Sequence, residues 1–155
     1  MSELKYQPRG KHFEEFEIGQ KLITSARTIT EADIVNFAGV TGDFNQIHID
    51  AVYAAQDTFG QRIAHGLLIQ SIAIGLVVQT GVIEGTTLAF RELTAKMSLP
   101  VFIGETIHVV GEVVDTKAFR RLGGGNVSIK YSVINNDGKT VQRGEWIMLI
   151  KSKES

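Results

Sequence analysis

The chain has 155 residues, with 16 Lys and Arg against 17 Asp and Glu, for a formal net charge of -1. That balance excludes the basic footprint of a phosphate-backbone binder, so no nucleic-acid partner is expected. With 43% hydrophobic and 21% charged residues the chain is not a disordered one. The absence of cysteine removes thiol catalysis, thiolate metal sites and a disulfide scaffold. The length favours one domain over residues 1–155.

Met1 to Glu15 is polar and has no apolar leader segment, so a cytoplasmic location is expected. Leu22 to Thr28 reads as a short strand. Thr30 followed three residues later by Asp33 resembles a capping box. Behind it, Ile34, Phe37 and Ala38 fall on one helical face, and Gly42 is a plausible stop. Asp43 to Asp50 fits neither helical nor strand period, and Asp50 reads as the cap of a short helix over Val52 to Ala55.

From Ile63 to Ile83 there is no Asp, Glu, Lys or Arg. Polar and glycine positions within that run leave about four helical turns, too short for the roughly 20 apolar residues of a membrane span. A helix apolar on nearly every side is buried inside a protein. It opens near His65-Gly66 and fades near Thr80-Gly81. Strand patterns follow: Thr87 to Ser98, then Ile107, Val109 and Val113 alternating with polar residues. Gly123-Gly124-Gly125 reads as a break, Val127 to Val133 alternates again, Asp137-Gly138 marks a hairpin and Val141 to Ile150 forms the last strand. A long helix with no polar face, followed by four antiparallel strands, needs a strongly curved sheet wrapped around it. This is the α+β hot-dog fold.

Thr41 to Asp50 holds the chemistry. Asp43 and His48 stand five residues apart in an irregular loop between helices. Proton transfer near neutrality needs one group that accepts and one that donates beside the same substrate atom. An imidazole, with an unperturbed pKa of about 6.5, and a partly desolvated carboxylate can supply both. Read from residues alone, the pair favours a structural account, with the Asp capping a turn and the His bonded to local backbone.

Asp43-x-Asn45-x-Ile47-His48-x-Asp50 resembles the signature of the (R)-specific enoyl-CoA hydratases, the MaoC-like dehydratases. Phe59-Gly60-x-x-Ile63-Ala64-His65-Gly66-Leu67-Leu68 resembles a second family hallmark, and Leu99-Pro100-Val101-Phe102-Ile103-Gly104-Glu105 a third. The similarity runs from about Phe16 to Ile150. Gln46 departs from the pattern, standing where the family usually has Pro. The resemblance implies that Asp43 and His48 are catalytic, holding a water for addition to a trans-2-enoyl thioester to give an (R)-3-hydroxyacyl thioester, or for the reverse dehydration. It implies that Gly66 donates its N–H to the thioester oxygen, and it places Asn45 in the same substrate-binding loop. It further implies an acyl-CoA or acyl carrier protein thioester as substrate, a homodimer, no cofactor and no metal.

Asn45 alternatively stiffens the loop through bonds to backbone. His65 reads as a structural residue at a helix start, and Phe37, Phe44 and Leu67 are candidates for an acyl pocket. Arg62, Lys96, Arg120 and Arg121 are cations that could meet CoA phosphates. Other functions remain open on the same loop: a hot-dog acyl-CoA thioesterase, a non-catalytic acyl-CoA-binding module, and a two-His, one-carboxylate iron site built on His48 and Asp50.

Overall fold

The computed structural model describes residues 4–153. Thr30 caps helix α1 (Glu31–Thr41) by accepting from the Asp33 N–H at 3.2 Å, while the Asp33 carboxylate accepts from the Thr30 N–H at 2.9 Å. Gly42 ends the helix at φ 80°, a conformation open to glycine at no steric cost. Two short helices follow, α2 (Gln46–Ile49) and α3 (Ala51–Gln56). The long helix α4 covers Gly66–Gln79.

Six strands form one antiparallel sheet: β1 (Lys21–Ile23), β2 (Arg27–Thr28), β3 (Thr87–Met97), β4 (Thr106–Phe119), β5 (Gly124–Asn135) and β6 (Thr140–Lys151). Their order is β1-β4-β5-β6-β3, with β2 also paired to β4. Register shifts in β3 at Thr87/Ala89 and Phe90/Glu92, and in β4 at Val113/Asp115, bend the strands where the sheet must curl. α4 fills the hollow. Its Ile69, Ala73, Leu76 and Val77 share a core cluster with Ile107, Val109, Ile129 and Trp146. This is the hot-dog arrangement expected from the charge-free segment 63–83, although the helix is not covered on every side: Leu67, Ser71, Val78 and Gln79 are exposed.

One polar residue of α4 is also buried. Gln70 accepts a hydrogen bond from the Tyr131 hydroxyl at 2.6 Å, and the Tyr131 ring stacks on Trp146 with centroids 3.9 Å apart. Burial is the first cause that raises the Tyr131 pKa, so the hydroxyl stays a donor.

Three local expectations need correction. The strand expected over Leu22–Thr28 is two strands, because the Thr24 hydroxyl intervenes and accepts from the Val109 N–H at 2.9 Å. The Asp43–Asp50 stretch is not wholly irregular, since α2 forms one turn within it. Gly123 does break the chain, at φ 72°, but Gly124 and Gly125 already belong to β5. Among the described residues, no helix is long and apolar enough to cross a membrane.

Trp146 has the largest side chain among the most deeply buried residues. Trp146→Ala should lower unfolding free energy by about 3–5 kcal/mol. Urea denaturation followed by circular dichroism measures this.

Candidate active site

Asn45 and Asp50 shape the loop that carries the acid and the imidazole. The Asn45 side-chain oxygen accepts from the Ile47 N–H at 3.4 Å, and the Asn45 N–H donates to Asp43 Oδ1 at 3.3 Å. Asp50 Oδ1 accepts from the N–H groups of Val52 and Tyr53 at 3.0 and 2.9 Å, which starts α3. Between these caps, the single turn of α2 points His48 inward, where it is 7% exposed, while Asp43 remains at the surface. Gln46 is the first residue of that turn. Proline is favoured at this position because the N–H there has no intrahelical partner. The turn closes without it.

His48 Nδ1 lies 2.7 Å from the Ile63 carbonyl oxygen. A carbonyl has no proton to give, so Nδ1 carries the hydrogen and the neutral ring keeps its lone pair on Nε2. Burial lowers the His48 pKa below the ordinary histidine value, and the neighbouring His65 acts in the same direction. The bond to Ile63 and the Asp43 carboxylate oppose the shift. His48 is thereby kept as a neutral acceptor at neutral pH.

The three sequence segments that carry the resemblance meet here. Ile63 N–H donates to Ile47 O at 3.1 Å, Ala64 N–H donates to Val101 O at 2.8 Å, and Ile63 bridges to Phe102. His65 follows as the N-cap of α4, only 2% exposed, yet its side chain makes no cap bond. Instead its Nε2 donates to the Asp43 carbonyl oxygen at 2.9 Å. Its ring stacks on His48 with centroids 3.8 Å apart and an interplanar angle of 27°, and Phe37 packs against it at 5.0 Å. The first-turn N–H groups of α4, beginning at Gly66, therefore have no side chain across them and can meet an anion or oxyanion. Met97 lies directly over Gly66: a Cβ there would fall 2.5 Å from the Met97 Sδ. Gln142 Nε2 secures the Gly66 carbonyl at 2.7 Å.

A cavity of about 360 Å³ opens at this helix start, lined by Ile47, His48, Phe59, Gly66, Met97 and Leu99 among others. Asp43 sits outside that lining, on the exposed side of His48. A larger cleft of about 790 Å³ includes Lys21, Lys96, Lys130 and Arg143 and holds none of the acid–base groups.

An Asp43 carboxylate oxygen and one ring nitrogen of each histidine lie within 4.8 Å of one another. That span suits one water bonded at both ends, since each such bond is about 2.8 Å long. It suits a metal ion poorly, because face-to-face imidazoles cannot both aim in-plane lone pairs at a point between them.

Of the residues singled out in the sequence, Asp43, His48 and Gly66 surround this place, and Asn45 is a cap holding the loop. Sequence reading missed the contacts of His65. The available signal was a histidine at a helix start where Ser, Thr, Asp or Asn is usual. Phe44 and Leu67 are exposed and Phe37 packs on His65, so the apolar lining comes from other side chains. Arg62 is paired with Glu31 at 2.7 Å.

A curved sheet around a central helix, with a carboxylate and an imidazole beside the uncapped helix start, defines a hot-dog protein. The chain belongs to the MaoC-like dehydratase family, with residues 13–136 matching the MaoC like domain. It is 46% identical over 109 residues to Protein MaoC of Klebsiella aerogenes, an alignment covering 70% of this chain and 32% of that protein. The chain thus spans about a third of that relative's length. It is 36% identical over 110 residues to the 3-hydroxybutyryl-CoA dehydratase of Methylorubrum extorquens, covering 71% of this chain and 68% of the other. The solved R-hydratase PhaJ1 of Pseudomonas aeruginosa superposes with a TM-score of 0.78 at 32% identity, covering 92% and 86% of the two chains. The Methylorubrum relative is named for dehydration and the Pseudomonas structure for hydration.

Two expectations follow from this geometry. His48 should titrate below the ordinary value of about 6.5 in an NMR pH series. Because the unfolded chain then binds the proton more readily, folding stability from this group is present above about pH 6.5 and is lost as pH falls toward the lowered folded value. Gln46→Pro should be tolerated, since Asn45 already has φ -56° and ψ 134°, the conformation that precedes proline. It should stabilise by about 0.4–1 kcal/mol in thermal melts, through reduced freedom of the unfolded loop.

Proposed function

We propose that the chain, as one hot-dog domain, is an (R)-specific enoyl-CoA hydratase. In this reading Asp43 and His48 hold one water against a trans-2-enoyl thioester. The hydroxyl of that water bonds to C3, and a proton is delivered to C2. The product is an (R)-3-hydroxyacyl thioester, and the reverse direction expels the same water. His48, neutral and with Nε2 free, is suited to accept a proton and return it, while Asp43 completes the grip on the water. Negative charge that develops on the thioester oxygen is met by the Gly66 N–H at the positive end of α4. The observation that carries this reading is the Asp43 carboxylate lying within 4.8 Å of a His48 ring nitrogen beside an uncapped helix start. The names of the Methylorubrum and Pseudomonas relatives, both for water chemistry, support it. Asn45 acts through the loop in this scheme, as a cap rather than as a substrate contact.

The thioester handle is that of CoA or acyl carrier protein, with the acyl chain in the apolar cavity. A homodimer is part of the same proposal. β3 lies at the sheet edge with Leu88, Phe90, Leu93 and Met97 exposed, and Met97 and Leu99 also line the cavity. An apolar, unpaired edge is a surface that proteins normally cover.

Crotonyl-CoA should lose its conjugated absorbance on mixing with the protein, and the product should be the (R) enantiomer. Asp43→Asn and His48→Ala should each lower kcat by about 10²–10⁴. Circular dichroism should remain near wild type in both, and so should melting of Asp43→Asn, because Asp43 is exposed. His48→Ala empties a buried ring site and should melt somewhat lower. Release of free thiol instead of hydration would favour a thioesterase.

A further inference from the structure

We propose that His65 is a positioning residue for the hydration: it holds the Asp43 main chain and the His48 ring in the mutual arrangement that one shared water requires. The inference rests on the roles given above to Asp43 and His48. Asp43 follows Gly42 on an exposed loop, and its local bonds are long: 3.2 Å from its N–H to the Thr41 hydroxyl, and 3.3 Å from Oδ1 to the Asn45 N–H. The bond from His65 Nε2 is shorter, at 2.9 Å, and comes from 22 residues away in the chain. It ties the acid's backbone to the start of the buried helix. The same ring covers one face of His48 at 3.8 Å, while the Ile63 carbonyl holds the edge of His48 at 2.7 Å. The imidazole is therefore fixed in plane and in tautomer.

Two simpler accounts of His65 fail. It does not cap its own helix, because its side chain makes no bond to the first turn. Nor is it filler alone, since filler would need no donor aimed at the Asp43 carbonyl. His65 is also absent from the cavity lining, whereas its neighbours Ala64 and Gly66 are present. It therefore acts through other residues, and misplacement of about 1 Å at a reacting group can cost about 10²-fold in rate.

The bond and the ring can be removed separately. His65→Gln keeps an N–H donor at similar reach and loses the ring; His65→Phe keeps a ring and loses the donor; His65→Ala loses both. With crotonyl-CoA hydration as the readout, His65→Ala should lower kcat about 10–100-fold, with KM changed by less than about threefold. His65→Gln, which keeps a donor, and His65→Phe, which keeps a ring, should each recover only part of that loss. The groups acting on His48 are Asp43, His65 and the Ile63 carbonyl. Removing His65 should therefore move the acidic limb of kcat/KM to higher pH in both the Gln and Ala variants, which a purely structural loss would not do. Wild-type kcat in His65→Phe, or a rise in KM with kcat unchanged, would overturn the proposal. If His65→Ala fails to fold, the Gln and Phe pair still decides. A wild type inactive on every enoyl-CoA would instead remove the reading of Asp43 and His48, before any variant is compared.

Discussion

The constraint on which the molecule depends is a helix with a wide apolar face turned to the sheet, while Leu67, Ser71, Val78 and Gln79 face outward. α4 presents Leu68, Ile69, Ile72, Ala73, Leu76 and Val77 to the interior, and the helix is covered by a sheet bent at its register shifts. A helix pairs its own backbone along its length, so its ends are the places where backbone polarity can emerge. At the N-terminal end the loop from Asp43 to Asp50 and the segment from Leu99 to Glu105 converge, tied by backbone bonds through Ile63 and Ala64. Hydrophobic burial therefore decides where the site is, and local hydrogen bonds decide what it contains.

Much of this was legible because it is local. The Thr30–Asp33 reciprocal cap, the Gly42 stop and the Asp50 cap each depend on residues within a few positions of one another, and all three form as read. The buried helix was legible for a different reason, since twenty-one positions without a charge leave few places for that segment except a core. The separation of β1 from β2 was hidden because it depends on Thr24 meeting Val109, 85 residues away. The single turn of α2 was hidden by its length, too short to show a period.

Of the candidate site, the acid, the imidazole and the glycine are singled out by the sequence, and what holds them together is not. His65 looked like a helix-start residue, which it is by position. Its bond to Asp43 and its stacking on His48 arise from the fold bringing residues 43, 48 and 65 together, and no pattern in a linear sequence encodes that. The lining of the cavity at the start of α4 was hidden for the same reason. Phe44 and Leu67 lie near the loop in sequence, but the space is enclosed by Phe59, Met97 and Leu99, two of them from or just after the edge strand.

The bare start of α4 shows what the arrangement costs. A Ser, Thr, Asp or Asn at the N-cap commonly contributes about 1 kcal/mol to a helix. At residue 65 that contribution is forgone, and the side chain is turned toward Asp43 instead. A helix capped by its own side chain would have a leading amide already satisfied. The domain can bear this local deficit because the inner face of α4, from Leu68 to Val77, is packed in the core.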